Sequence, residues 1–294
     1  ADADADEVLD AASARWVREL EGDGFRRVVR PEFERLLRSF DEVASEVGGG
    51  HRAGGQHDGR VVASGAWREI TLFASQDDAR AASESDAVAR QYFPGTRRLL
   101  EHLVPDAVQM AWLGAGEIII SRLAPGTHVR PHCAPNNARL TAHLGLEVPS
   151  DPAAAAIRVG AQWRSWRVGE VLLFDDSFEH EVVNRSEAES RTVLLVRFPH
   201  PDARARFGGD VGRCMEEDER LYNEFMFSKM SAPLGSEAVE RELFRDSMDA
   251  PSGGELPTCP YCGTASQDAR PALVLRGGCS PPFVRYRCCG HVVE

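Results

Sequence analysis

Six short runs of β-type residues follow one another between residues 117 and 198, and no helical pattern separates them. Each run is bounded by turn-forming residues. The runs lie near Glu117–Leu123, Arg139–Val148, Ala156–Val159, Glu170–Phe174, Glu179–Asn184 and Thr192–Phe198. Parallel strands are usually joined through a helix, and no helical pattern lies between these runs. The spacing therefore predicts an antiparallel β-barrel or β-sandwich.

Helical patterns flank this β-rich part on both sides. Apolar residues recur at three- and four-residue spacing from Glu7 to Val47, and again over residues 77–104 with a break at Pro94. Two more helices are expected at Asp218–Met230 and Ser236–Met248. We expect four regions: a helical region at 1–60, a β-rich core at 61–205, a helical extension at 206–252 and a Cys-rich tail at 253–294.

Composition excludes several classes of function. The 294 residues carry a formal net charge of -12, which disfavours nucleic acid as a partner because a phosphate backbone is bound by clustered Lys and Arg. No apolar run approaches the roughly 20 residues that span a bilayer, and no membrane partner is expected. Residues Ala1–Glu7 lack the features of a secretory signal, so a cytoplasmic location is expected.

The run Arg139–Val148 alternates strictly between two kinds of residue. Leu140 and Leu144 belong to the apolar face, whereas Arg139, Thr141 and His143 belong to the polar face. In a small barrel the polar face is expected to line the lumen, where a ligand can bind. The last strand repeats this pattern, with Arg191, Val193, Leu195 and Arg197 on one side. A buried Arg requires an anionic partner, and a dicarboxylate fits its planar fork of donors.

Four of the nine histidines cluster in the same part of the chain, at His128, His132, His143 and His180. Neutral imidazole is the commonest side-chain ligand for transition metals. A single His in a strand is more often an ordinary hydrogen-bonded polar residue. Periodicity alone leaves both interpretations open, and it identifies neither the metal nor a reaction.

Three motifs resemble those of a known family. They are PGTHVRPHCAPNNARLTAHLGL, FDDSFEHEVVN and SRTVLLVRFPHP, within a stretch from about Trp67 to Pro201. They resemble the aspartyl/asparaginyl β-hydroxylases, which are Fe(II)- and 2-oxoglutarate-dependent oxygenases. The resemblance implies a mainly β fold with flanking helices, whose core is a double-stranded β-helix of the jelly-roll, cupin-like type.

The resemblance also implies roles for individual residues. His132 and His180 would bind iron, and Ala134 stands where most 2-oxoglutarate oxygenases have a third, carboxylate ligand. This family characteristically lacks that carboxylate as well. Arg191 would bind the distal carboxylate of 2-oxoglutarate, with Ser121 and His143 adding hydrogen bonds, and O2 would be the second co-substrate.

Further residues are expected near the substrate or behind the iron ligands: Arg139, Thr141, Asp176 and His128. The family often has Arg where this chain has Thr141, so a substrate bound through an extra carboxylate is less expected here. For Asp176, an ordinary role in the turn before the hairpin is equally open.

The tail carries a second metal motif. Cys259 and Cys262 form a Cys-x2-Cys pair, and Cys288 with His291 offers a second pair; Cys289 and Cys279 are alternatives. Four nitrogen or sulfur ligands favour structural zinc, and disulfides or free thiols are the alternative. This small tail would fold around the metal and could bind a protein partner.

Taken together, these features predict a dioxygenase that hydroxylates an unactivated carbon. The expected substrate is an Asp- or Asn-like side chain, at its β-carbon, in a peptide, a protein or an amino acid. The alternative is a non-catalytic, metal-dependent binding module with a zinc-knuckle tail that binds a protein.

Overall fold

The computed structural model describes residues 10–46, 62–75, 79–132, 134, 138–160, 162–201, 204–205 and 210–213, together with three short strands between 271 and 293. The helices expected at 218–230 and 236–248 lie outside the described residues. The proposed zinc ligands also lie outside them: Cys259, Cys262, Cys279, Cys288, Cys289 and His291.

Helices occupy two stretches of the chain, as the apolar periodicity predicts. The helical segments are α1 (Ala11–Glu19), α2 (Leu20–Val29), α3 (Arg30–Leu36), a 3-10 turn (Leu37–Ser39), α4 (Phe40–Val43), α5 (Ala79–Tyr92), α6 (Pro94–Leu103) and α7 (Pro105–Trp112). The segment α2 is kinked at Gly22, whose ψ of -115° is not helical. Among the described residues, no helix is long and apolar enough to cross a membrane.

Strands fill most of the remaining described chain. They are β1 (Ser45–Glu46), β2 (Val62–Ser64), β3 (Trp67–Phe73), β4 (Ile118–Leu123), β5 (His128–His132), β6 (Arg139–Glu147), β7 (Ala155–Val159), β8 (Gln162–Arg164), β9 (Val171–Phe174), β10 (His180–Asn184), β11 (Arg191–Pro199), β12 (Pro271–Val274), β13 (Phe283–Tyr286) and β14 (Val292–Val293). All six predicted strands are confirmed, each to within a residue or so at either end.

Two antiparallel sheets face each other and form a jelly-roll core. The major sheet has the strand order β1-β3-β4-β11-β6-β9, and the minor sheet has the order β2-β5-β10-β7-β8. Strands β12, β13 and β14 form a separate three-stranded antiparallel sheet. The sequence patterns missed β5, because His128–His132 contains Pro131 and few β-forming residues. Its extended shape comes from pairing with β10 and β2.

Both faces of the major sheet are buried. Its outer face packs against the helices in one hydrophobic core, in which Leu140, Ala142 and Leu144 of β6 meet Phe33 and Phe40 of the N-terminal helices. Its inner face packs against the minor sheet in a second core, which includes Val129, Ile157, Val182, Val193 and Leu195. The predicted alternation in β6 and β11 therefore directs their polar residues between the two sheets.

A buried carboxylate joins the N-terminal helices to α6. Glu32 on α3 is 7 % exposed, and its Oε1 accepts a hydrogen bond from Gly95 N at 2.7 Å. Its Oε2 accepts bonds from Thr96 N at 2.8 Å and from Thr96 Oγ1 at 2.7 Å. The first amides of a helix have no partner within the helix, so a carboxylate there satisfies them and complements the helix dipole.

Replacing this carboxylate should destabilise the protein. Glu32→Ala leaves buried donors without an acceptor, and we expect a loss of about 3 kcal/mol in the free energy of unfolding. Glu34→Ala is the matched control, because Glu34 is exposed and pairs only with Arg30, so its loss should stay near 0.5 kcal/mol. Urea denaturation of both variants measures the difference, and equal losses would contradict the role of Glu32.

Candidate active site

A cavity opens between the two sheets. Its wall combines apolar side chains with titratable ones. The lining residues are Trp67, Ser121, Leu123, Val129, His132, Thr141, His143, Phe174, Asp176, His180, Val182, Arg191, Leu195 and Arg197. Six of the site residues expected from the sequence are thereby brought together: Ser121, His132, Thr141, His143, His180 and Arg191, with Asp176 as a seventh.

The rings of His132 and His180 lie next to each other on the wall. The two residues are direct partners across strands β5 and β10, and their ring centroids are 4.2 Å apart. Nδ1 of His132 lies 2.7 Å from the carbonyl oxygen of Arg130, and Nδ1 of His180 lies 2.9 Å from that of Phe178. Each Nδ1 therefore carries the proton and donates it to the carbonyl, and Nε2 keeps the lone pair that binds a metal.

These histidines fit a metal ion that also binds exogenous ligands. Ala134 lies two residues after His132, is buried and contributes no ligand atom; its backbone N donates to Asp176 O at 2.7 Å. Within the described residues, no group of three or more His, Cys, Asp and Glu side chains is placed to hold a metal. Two imidazoles leave most coordination positions to other molecules, as in iron sites that bind a co-substrate and oxygen.

Arg191 and His143 are buried polar residues without a hydrogen-bonding partner among the described residues. Arg191 is 2 % exposed, and its Nε and Nη1 find no acceptor; both ring nitrogens of His143 are in the same situation. Burial lowers the pKa of Arg191 to about 9. Burial, with the charge of Arg191 second, lowers the pKa of His143 well below its ordinary value. Such orphaned groups mark a place where a ligand makes the bonds.

Aromatic rings surround this pair. The Arg191 guanidinium lies over the ring of Trp166 at 4.4 Å, and the ring of His143 stacks on the same indole at 6.0 Å with an angle of 27°. Trp67 Nε1 donates a hydrogen bond to Ser121 Oγ at 3.1 Å, which fixes that hydroxyl in the cavity wall. Sequence patterns singled out neither Trp67 nor Trp166 as a site residue, because their neighbours in space come from distant strands.

Asp176 lies at the centre of a buried ionic cluster. Its Oδ2 is 3.3 Å from Arg139 Nη2 and 3.2 Å from Arg197 Nε, and Arg197 Nη1 is also 2.6 Å from Glu117 Oε2. Burial raises the pKa of Asp176, but the charges of Arg139 and Arg197 outweigh it and bring the value to about 2. Two cations and two anions cancel in this cluster, so Arg191 is the cation of the described cavity wall that has no acidic partner.

The structure separates the two neighbouring aspartates. Asp175 has the turn role, because its Oδ1 accepts hydrogen bonds from the backbone and the side chain of Ser177. Asp176 points inward and is 1 % exposed. Arg197, which sequence patterns placed on the same side as Arg191 without a role, is the direct cross-strand partner of Thr141. It therefore lies directly beside Thr141 in the major sheet.

His128 lies apart from the cavity. Its side chain is 39 % exposed, and its Nε2 is 3.0 Å from Glu181 Oε2, which also binds Arg158. His128 is therefore not among the residues that line the described cavity. The irregular register between β5 and β10 turns Val129 and His132 inward and His128 outward. Arg139 does not line the cavity itself, but it pairs with Asp176, which does.

The chain is similar in sequence to proteins of one known family. Residues 26–201 match the family model described as Aspartyl/Asparaginyl beta-hydroxylase. The chain belongs to this family. A segment of 87 residues is 45 % identical to the aspartyl/asparaginyl beta-hydroxylase of Mus musculus, and it covers 30 % of this chain and 11 % of that protein. A segment of 88 residues is 41 % identical to the ornithine lipid ester-linked acyl 2-hydroxylase of Rhizobium tropici, and it covers 30 % of this chain and 31 % of that protein.

The matches thus span less than a third of either relative. Among solved structures, a prolyl-4-hydroxylase of Pseudomonas putida superposes with a TM-score of 0.35 at 15 % identity, over 64 % of this chain and 98 % of that one. A cupin domain of a transcriptional regulator from Enterobacter cloacae gives a TM-score of 0.24 at 14 % identity, over 29 % and 82 % of the two chains. The family assignment does not depend on these low scores.

Removing the charge of Asp176 should lower the free energy of unfolding. Asp176→Asn leaves Arg139 and Arg197 buried without the carboxylate between them, and we expect a loss of about 3 kcal/mol or more. Because the folded pKa lies below the ordinary value of 3.8, this stabilisation is fully present above about pH 4 and is lost as the pH falls towards 2.

Chemical denaturation as a function of pH tests both statements. The Asn variant should lose the part of the acid sensitivity that the wild type shows between about pH 4 and 2. Asp175→Asn, one residue earlier in the turn, is the control and should cost about 1 kcal/mol. A loss of similar size in the two variants would rule out the ionic role of Asp176.

Proposed function

We propose that this protein is an Fe(II)- and 2-oxoglutarate-dependent dioxygenase that hydroxylates an unactivated carbon. The proposed substrate is an Asp- or Asn-like side chain, at its β-carbon, in a peptide, a protein or an amino acid. One observation carries the proposal: His132 and His180 line the same cavity as Arg191, a buried arginine that has no acidic partner among the described residues. Membership of the β-hydroxylase family supports it, as does the relative named an acyl 2-hydroxylase, which also hydroxylates carbon.

His132 and His180 would hold the iron through Nε2. Bound Fe(II) would supply the redox chemistry by which 2-oxoglutarate and O2 are converted to succinate and carbon dioxide, while the second oxygen atom is inserted into a substrate C–H bond. The chain's contribution is to fix both rings: the carbonyls of Arg130 and Phe178 hold the Nδ1 protons and so set the tautomer. Ala134 offers no carboxylate, so water and the co-substrate would supply the remaining ligands.

Arg191, Ser121 and His143 would bind 2-oxoglutarate. The guanidinium of Arg191 can donate two parallel hydrogen bonds to its distal carboxylate. His143 stays neutral because its pKa is lowered, so its imidazole can donate one hydrogen bond to the same anion and does not compete as a second cation. The hydroxyl of Ser121, which accepts from Trp67, keeps its own proton for donation.

The rest of the wall would keep water away from the reaction and receive the substrate. Val129, Val182, Leu195 and Phe174 supply apolar surface around the histidines. A dry site protects the reactive oxidant and strengthens polar contacts to the co-substrate. Because Thr141 is uncharged and the adjacent ionic cluster is balanced, that part of the wall offers no excess positive charge to an extra carboxylate of the substrate, beyond the side chain that is hydroxylated.

Spectroscopy of the reconstituted protein tests the proposal. Anaerobic addition of Fe(II) and 2-oxoglutarate should give the weak visible absorption band of the metal–2-oxoglutarate complex. His132→Ala and His180→Ala should each abolish it, while His102→Ala, at a helix surface, should leave it intact. Persistence of the band in both ligand variants would refute the assignment. Succinate formation with candidate peptides separates an oxygenase from a mere binding module.

For the C-terminal tail we propose a structural zinc site. Cys259 and Cys262 would supply one half and Cys288 and His291 the other, with Cys289 or Cys279 as alternatives. Four ligands of this kind leave no open position, and the bound metal would supply the folding energy of a small module. A protein partner could then recognise the module.

Metal analysis of the purified full chain provides the test. We expect about one zinc per chain, and Cys259→Ser with Cys262→Ser should reduce it to near zero while the iron-dependent absorption band persists. A wild-type protein without zinc would exclude the tail site. Loss of the visible band together with zinc would instead indicate that the tail supports the catalytic core.

A further inference from the structure

Trp166 is the buried residue of an otherwise exposed connection. Residues 162–165 before it and Arg167 and Val168 after it are exposed, whereas Trp166 is 2 % exposed. The connection joins β8 to β9, and its indole enters the core between the two sheets. When one large aromatic side chain of an otherwise exposed segment is buried, it indicates a specific contact with the protein interior.

Gly145 makes this insertion possible. A side chain at Gly145 would lie 2.2 Å from the carbonyl oxygen of Arg167, so only glycine allows the connection to approach β6 this closely. Backbone hydrogen bonds then fix it: Gly145 N donates to Glu170 O at 3.1 Å, and Gly169 N donates to Gly145 O at 2.9 Å. The position of the indole is thus set by a rigid backbone contact.

The indole contacts two residues of the cavity wall that have buried polar atoms without hydrogen-bond partners, Arg191 and His143. Its face lies 4.4 Å from the guanidinium carbon of Arg191, and the His143 ring stacks against it. Trp166 is not part of the cavity lining, so it contacts Arg191 from behind and leaves the cavity side of the guanidinium accessible to a ligand.

A buried cation that binds an anion faces conflicting requirements. Without any partner its charge is costly to bury, but an acidic partner would compete with the anion for the same donors. The face of an indole resolves the conflict, because its negative electrostatic potential attracts a cation without accepting its in-plane hydrogen bonds. Arg139 and Arg197 illustrate the contrast, since Asp176 lies between them.

We propose that Trp166 is a positioning residue for 2-oxoglutarate binding: its indole face takes the place of an acidic counter-ion and holds Arg191 charged and oriented for the incoming carboxylate. The proposal rests on the proposed function, because it assigns Arg191 to that co-substrate. It goes beyond the proposed function because it names the residue that holds Arg191 charged and oriented before 2-oxoglutarate binds.

The test compares two variants of similar size. Trp166→Phe keeps an aromatic face, whereas Trp166→Met fills a similar volume without one. Calorimetric titration of the Mn(II)-loaded protein with 2-oxoglutarate gives the dissociation constant without turnover. We expect the Met variant to bind roughly ten- to thirtyfold more weakly than the wild type and the Phe variant to lose clearly less. The affinity for Mn(II) alone should not change.

Trp16→Met is the matched control. Trp16 is also buried and its ring packs edge-on against Phe198, but its contacts lie in the helical core away from the cavity. It should lose thermal stability to a degree comparable with Trp166→Met and keep the wild-type affinity for 2-oxoglutarate. If Trp166→Met does not fold, site-specific incorporation of progressively fluorinated tryptophan at position 166 weakens the π face at nearly constant shape, and affinity should fall with each added fluorine.

The possible outcomes separate the two proposals. Wild-type protein that binds no 2-oxoglutarate would overturn the proposed function. Wild-type binding that is matched within twofold by Trp166→Met, or an unchanged affinity along the fluorinated series, would overturn the role of Trp166 alone. Equal weakening in the Phe and Met variants would also overturn it, because the aromatic face would then make no difference.

Discussion

Burial of both faces of the major sheet is the constraint on which the rest of this structure depends. Helices cover the outer face, and the minor sheet covers the inner one. Strands β6 and β11 alternate apolar and polar residues, so satisfying the outer core forces charged side chains inward. Each inward charge must then be paired within the protein or bound by a ligand. The chemistry of the cavity follows from how each charge is accommodated.

The protein uses two different solutions. Arg139 and Arg197 are neutralised by Asp176 and Glu117, which makes that part of the wall a rigid, balanced structural element. Arg191 has an aromatic face in place of an acid. The first arrangement specifies a shape, and the second preserves the capacity to bind an anion. This difference explains why two kinds of buried arginine occur on one strand, six residues apart.

The histidine pair depends on the same framework. His132 and His180 face each other because β5 and β10 are neighbours in the minor sheet, and the irregular register there turns His132 inward. Backbone carbonyls, not side chains, fix both rings. Both imidazoles are therefore oriented by main-chain geometry, which a jelly roll holds rigidly. In the proposed iron site, Ala134 would supply no ligand, and the co-substrate and oxygen would take the positions that the two imidazoles leave open.

Local sequence patterns predicted the β-rich core, the helices that precede it and the inward polar faces of β6 and β11, because periodicity and turn residues act locally. Sequence motifs also assigned the chain to its family and pointed to His132, His180, Ser121, His143 and Arg191. Tertiary structure alone decided which charges neutralise one another, which way β5 turns His128, and that Trp166 lies behind Arg191. These features depend on contacts between residues far apart in the chain, for which local patterns carry no signal.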